Sequence, residues 1–168
     1  INGDGIVNVF DMCTIKKNML NTGEFVTTSY SATEENVKLV GRTMYRNDTT
    51  WLVQSGSAVE FTVTGKSAEV TLAGDSSINN GEDYRSRYAV LVDGKIIEDD
   101  VMNTSEKTLT LFDGETSRTS KIKIIHLSEA MNGAIGVKNI SVTSGNAVPV
   151  YPEREKELSI EFIGDSIT

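Results

Sequence analysis

A period of two runs through most of this chain and confines the fold to sheets. From Val37 onward, residues 58–64, 67–73, 88–92, 108–112, 121–127 and 135–142 alternate apolar with polar side chains and are rich in β-branched residues. Successive side chains of a strand point to opposite faces, so each run offers one face to a core and one to water. Asp93-Gly94 lies between two such runs and reads as a hairpin, because a type I′ turn takes positive φ at both central residues. Many short strands with turns roughly every ten residues describe a mainly β protein, a sandwich or a barrel. The alternation does not separate a jelly roll from an immunoglobulin-like sandwich.

The two ends differ from this middle. Asn2-Gly3-Asp4-Gly5 opens a segment whose apolar residues at 9, 12, 13, 15, 19 and 20 follow a helical stripe, stopped by Asn21-Thr22-Gly23. Cys13 falls on that stripe and reads as a small buried hydrophobe. Residues 24–36 turn to Thr, Ser and Glu and read as a linker. At the other end, residues 158–163 alternate like a half-buried strand and run into Gly164-Asp165-Ser166. The expected organisation is residues 1–23 as a helical segment, 24–36 as linker, 37–150 as β-sandwich and 151–168 as the start of another domain. Opening on Ile1 rather than Met, the chain is expected to be cut from something longer.

The string Gly164-Asp165-Ser166-Ile167-Thr168 after a hydrophobic strand resembles the first sequence block of the SGNH (GDSL-type) hydrolases. Ahead of it stand Gly41-Arg42-Thr43, Trp51-Leu52-Val53-Gln54-Ser55-Gly56-Ser57, residues 58–65, Val90-Leu91-Val92-Asp93-Gly94, residues 121–130 and 136–142, and Gly145, Pro149 and Pro152. Taken in order, these resemble carbohydrate esterase family 2. That resemblance implies a jelly-roll-like antiparallel β-sandwich followed by the first strand of a truncated α/β SGNH domain. It implies Ser166 as catalytic nucleophile, with Gly164 and Asp165 shaping its turn. The implied reaction is removal of acetyl groups from plant cell-wall polysaccharides, acetylxylan or glucomannan, by a serine esterase of SGNH type.

The first residues fit an EF-hand-like calcium loop. Setting Gly5 at loop position 6 puts Asn2 at 3, Asp4 at 5, the Ile6 carbonyl at 7, Asn8 at 9 and Asp11 at 12. Position 1 would precede Ile1, and the usual bidentate Glu is replaced by Asp11. This resembles one repeat of a cellulosomal dockerin, of which residues 1–23 hold the second half. The resemblance implies calcium as ligand, cohesin as partner of a complete dockerin, and secretion to an extracellular bacterial cellulosome. The other reading is an Asn/Asp-rich turn capping a helix.

A serine hydroxyl needs an adjacent base, usually His, to act as nucleophile at neutral pH. His126 is the single histidine, and it falls within the strand pattern at 121–127. It also precedes the serine, against the order of the SGNH blocks. It reads as a strand residue, so the 168-residue chain by itself is expected to be inactive. A formal charge of −8 disfavours nucleic acid and anionic membrane as partners, whereas a neutral polysaccharide is indifferent to it. No apolar run is long enough to span a bilayer.

The alternative function is an accessory module, carbohydrate-binding or a structural spacer. Trp51 is its candidate carbohydrate contact, with Tyr45, Tyr84, Tyr88, Arg42, Arg85 and Arg87 as further sugar-facing candidates. Against this, the Trp51 ring is expected to pack in the core or at a domain interface.

Overall fold

The computed structural model describes residues 25–145 and 149–153. Strand β1 (Val26–Tyr30) is followed by β2 (Lys38–Val40), β3 (Thr43–Arg46), β4 (Thr49–Leu52), β5 (Ala58–Gly65) and β6 (Ser67–Gly74). Two 3₁₀ turns then lead to β7 (Arg87–Val92), β8 (Lys95–Val101), β9 (Glu106–Phe112), β10 (Arg118–His126), β11 (Ile135–Ser144) and β12 (Val150–Pro152). Among the described residues no helix is long and apolar enough to cross a membrane.

The strands form two antiparallel sheets packed face to face in a jelly-roll-like sandwich. The first has the order β3-β4-β11-β6-β9, and the second the order β12-β5-β10-β7-β8. Each sheet has one long strand served by two short ones along a single edge. In the first, β4 pairs with the start of β11 and β1 with the rest of it. In the second, β2 pairs with the start of β5 and β12 with its latter half.

Inward residues of both sheets build one core. Leu52, Ile135, Val137, Ile140, Val142, Val70 and Leu72 from the first sheet meet Val59, Phe61, Val63, Val90, Ile122 and Ile124 from the second. Each is fully or almost fully buried, worth about 1.5–3 kcal/mol of transfer free energy for a side chain of this size. The period of two runs through these strands, interrupted in β11 by a bulge between Val137 and Asn139, and the opposite faces carry Thr, Ser, Lys and Glu.

Asp93 has φ 52° and Gly94 φ 78°, the geometry expected for the β7–β8 hairpin. The Asp93 carboxylate also accepts the Lys121 backbone N–H at 2.8 Å, tying this turn to β10. A second hairpin of this kind joins β3 to β4, with φ 51° at Asn47 and 54° at Asp48.

Two boundaries are corrected: Tyr151 and Pro152, read as the start of another domain, belong to β12 and pair with Thr62 and Phe61 of β5. Within residues 24–36, read as a linker, β1 pairs with β11 over five positions, and Ala32 is buried in the core. The composition misled because β1 is exposed on most of its length. It is held by its ladder and by hydroxyl pairs, Thr27 with Thr143 at 2.8 Å and Ser29 with Ser141 at 3.2 Å. Thr50 then donates from Oγ1 to the Ala32 carbonyl at 2.5 Å and closes the segment onto β4.

Candidate functional site

On the outer face of the first sheet, one cross-strand row runs Met44 (β3), Trp51 (β4), Gly136 (β11), Ala73 (β6). Trp51 faces outward because its neighbours Thr50 and Leu52 face the core. Its ring is half-buried, lying over the small residues beside it. A Cβ at Gly136 would stand 2.6 Å from Thr49 Cγ2, 3.0 Å from Ala73 Cβ and 3.2 Å from Trp51 Cζ3. Glycine at 136 is therefore what lets the indole settle onto the sheet. Of the two places expected for Trp51, the core is corrected accordingly, and a domain interface would involve residues outside those described.

The indole forms one wall of a solvent-open cleft of about 250 Å³, lined also by Met44, Arg46, Asn47, Val53, Asp75 and Ala134. Asp75, at the exit of β6, shapes the far wall. Its Oδ1 accepts the Ser77 N–H at 2.9 Å and the Ser77 hydroxyl at 2.5 Å, while Oδ2 accepts the Ala134 N–H at 3.0 Å. Gly133, with φ 101°, brings the 130–134 loop close against Asp75 and Ser77. Arg46 and Asn47 project from the β3–β4 hairpin and are exposed.

His126 ends β10 directly opposite Tyr88. Both are fully buried, and neither imidazole nitrogen has a hydrogen-bond partner among the described residues. Burial pushes the His126 pKa below the ordinary histidine value, against the opposing influence of the Gln54 backbone and the Asp75 charge. A general base must reach its nucleophile and accept a proton at working pH. His126 is fully buried in the sandwich, away from any substrate in solvent.

Ser166, Gly164 and Asp165 lie outside the described residues, as do Asn2, Asp4, Ile6, Asn8 and Asp11. Of the sugar-facing candidates, Tyr88 is buried, Arg87 is bound to Asp99 at 2.9 Å, and Arg85 donates from Nε to the Asn80 carbonyl at 2.9 Å. Tyr45 and Tyr84 are exposed, but neither lines the Trp51 cleft. Arg46 and Asp75, which do line it, were not legible as site residues. The Asn47-Asp48 turn was the available signal for Arg46, since it puts that residue and Trp51 on adjacent hairpin strands.

The described residues thus define a β-sandwich carrying an aromatic cleft, in which neither imidazole nitrogen of His126 is hydrogen-bonded to a serine hydroxyl. More narrowly, the chain belongs to the carbohydrate esterase 2 N-terminal family, whose family model matches residues 39–152, more than half of the chain. It is similar to an acetylxylan esterase / glucomannan deacetylase of Cellvibrio japonicus, 24% identical over 149 residues. That match covers 84% of this chain and 37% of the relative, so the chain spans little more than a third of the protein it matches. The fold is shared with solved family two carbohydrate esterases. The one from Cellvibrio japonicus has TM-score 0.58 and 22% identity, covering 71% of this chain and 34% of that one. The one from Clostridium thermocellum, in complex with cellohexaose, has TM-score 0.57 and 24% identity, covering 79% and 38%.

Proposed function

We propose that this chain belongs to a longer serine esterase that removes acetyl groups from plant cell-wall polysaccharides, acetylxylan or glucomannan. The observation that carries the reading is the family match over residues 39–152 directly ahead of Gly164-Asp165-Ser166. In this reading residues 37–150 belong to the sandwich, joined by β1 and, through β12, by Tyr151 and Pro152, and the hydrolase domain begins after them. Ser166 attacks the acetyl carbonyl and forms an acyl-enzyme that water hydrolyses; its own backbone N–H contributes to the oxyanion site. The base that activates Ser166 lies outside these 168 residues, because His126 is the only histidine and is buried.

The longer protein is expected to release acetate from acetylated xylan or glucomannan, and Ser166→Ala to lower kcat by about 10³-fold or more. Wild-type rates in Ser166→Ala would remove the assignment. The same proposal places residues 1–23 as part of a dockerin, with Asn2, Asp4, the Ile6 carbonyl, Asn8 and Asp11 as calcium ligands and a cohesin as partner. The protein is then secreted to an extracellular bacterial cellulosome. Support comes from the spacing of those oxygen donors around Gly5.

A further inference from the structure

We infer that the Trp51 cleft is a docking subsite for an uncharged β-linked saccharide chain. The inference rests on the esterase reading for the class of polymer and on the cleft itself for the chemistry. A pyranose ring has an apolar face of axial C–H groups and a rim of hydroxyls. It is recognised by a flat aromatic surface with hydrogen-bonding groups at its edge. Trp51 supplies that surface on the outside of the first sheet, supported from below by Gly136, Ala73 and Thr49. Met44 and Val53 extend the apolar floor.

The polar edge is placed to match. Arg46 is exposed and has no hydrogen bond or ion pair among the described residues, so its five N–H donors are available to hydroxyl oxygens. The Asn47 side-chain amide offers both a donor and an acceptor beside it. Asp75 is engaged by three donors within the protein, and its role is to fix Ala134 as the opposite wall. Arg46 is the one cation in the cleft lining, which does not make a polyanion site, and the charge of −8 repels one.

The depression on the outer face of the second sheet is lined by Glu60, Lys121, Lys123 and Glu153. Its charges are already paired, Lys123 with Glu60 at 2.9 Å and Lys121 with Glu153 at 3.0 Å, and no aromatic ring lies in it.

Trp51 is the only tryptophan in the chain, so indole emission reports on this cleft alone. Unacetylated cellohexaose, xylohexaose and mannohexaose are titrated into the 168-residue chain while tryptophan fluorescence is followed. A saturable change with at least one of them is expected, with affinity about tenfold weaker in Arg46→Ala, which removes a charged donor. Affinity electrophoresis in xylan and glucomannan should show retardation lost in Trp51→Ala, with circular dichroism confirming its fold. No spectral change with any of the three up to roughly ten millimolar overturns the inference; that is the weak end of carbohydrate affinity. An equal response in Arg46→Ala and wild type overturns it too. Since no ester is hydrolysed in these titrations, their failure leaves the esterase proposal standing. Conversely, loss of the esterase proposal is read from acetate release alone.

Discussion

Lys107 and Glu98 join the two sheets at their outer edges, with 2.6 Å between Nζ and Oε1. Lys107 belongs to β9, the last strand of the first sheet, and Glu98 to β8, the last strand of the second. The same ammonium reaches Asp100 at 2.9 Å and stands 5.8 Å from the Tyr88 ring centroid. Its pKa is raised, first by the hydrogen bond to Glu98. This contact straddles the edge where the sandwich would otherwise open.

Lys107→Met should therefore lower stability by about 1 kcal/mol, at the upper end of partly exposed ion pairs, because two carboxylates lose one partner. A double-mutant cycle with Glu98→Gln, read by urea unfolding, should give a favourable coupling that shrinks in high salt. Additive effects would show that the pair does not hold the edge.

Two glycines separate steric from conformational need. Gly136 has atoms within 3.2 Å of any added Cβ, whereas Gly94 has nothing within 4 Å but a φ of 78°. Gly136→Ala should cost about 1–3 kcal/mol as overpacking and shift the Trp51 emission, since the indole must lift. Gly94→Ala should cost about 1 kcal/mol through backbone strain and leave that emission unchanged. Matching spectra for both variants would contradict the placement of Trp51 over Gly136.

His126 should make stability fall as solution is acidified below neutrality. Its folded pKa lies below the unfolded 6.5, so the unfolded chain binds the proton first. Stability is full above the unfolded value and declines as pH falls through 6.5 toward the folded pKa. Asp100 and Glu153 are also held low, by Lys107 and Thr62 respectively. Their contribution is lost only nearer the ordinary carboxylate range. Urea midpoints from pH 7 to pH 5 should drop for wild type and hold nearly level in His126→Phe; equal slopes would show that His126 is not the group responsible.

The proposed calcium loop is expected to bind weakly. With side-chain oxygens from Asn2, Asp4, Asn8 and Asp11 alone, affinity of the 168-residue chain should be about millimolar or poorer, the weak end of such loops. Calorimetric titration should show heat with calcium that Asp4→Ala abolishes. Absence of calcium-dependent heat in wild type would leave the helix-capping turn as the account of Asn2 to Asp11.

The strands that alternation revealed are those with one face in the core: β5, β6, β7, β9, β10 and β11. Those it missed lack that face or the length to show it. β1 is a largely exposed edge, β8 is another that only the Asp93-Gly94 turn marked, and β2, β3, β4 and β12 span three or four residues each. A stretch as short as Lys38–Val40 has no readable period, and its strand state is imposed by pairing to β5. The site divides in the same way. Trp51 stood out by residue type, whereas Arg46 and Asp75 join it only through the β3–β4 hairpin and the turn after β6. Tyr88 and Arg87 were misread because neither burial nor the Asp99 pairing is a property of local sequence.

The sandwich buries the chain's only imidazole, so the proposed nucleophile Ser166 is expected to draw its base from elsewhere. Hydrolysis of 4-nitrophenyl acetate by the 168-residue chain, measured beside its Ser166→Ala variant, tests this most directly. The two should turn over the ester at the same background rate. A clear excess for the wild-type chain, lost in Ser166→Ala, would mean that these residues already hold a working base and would contradict the account.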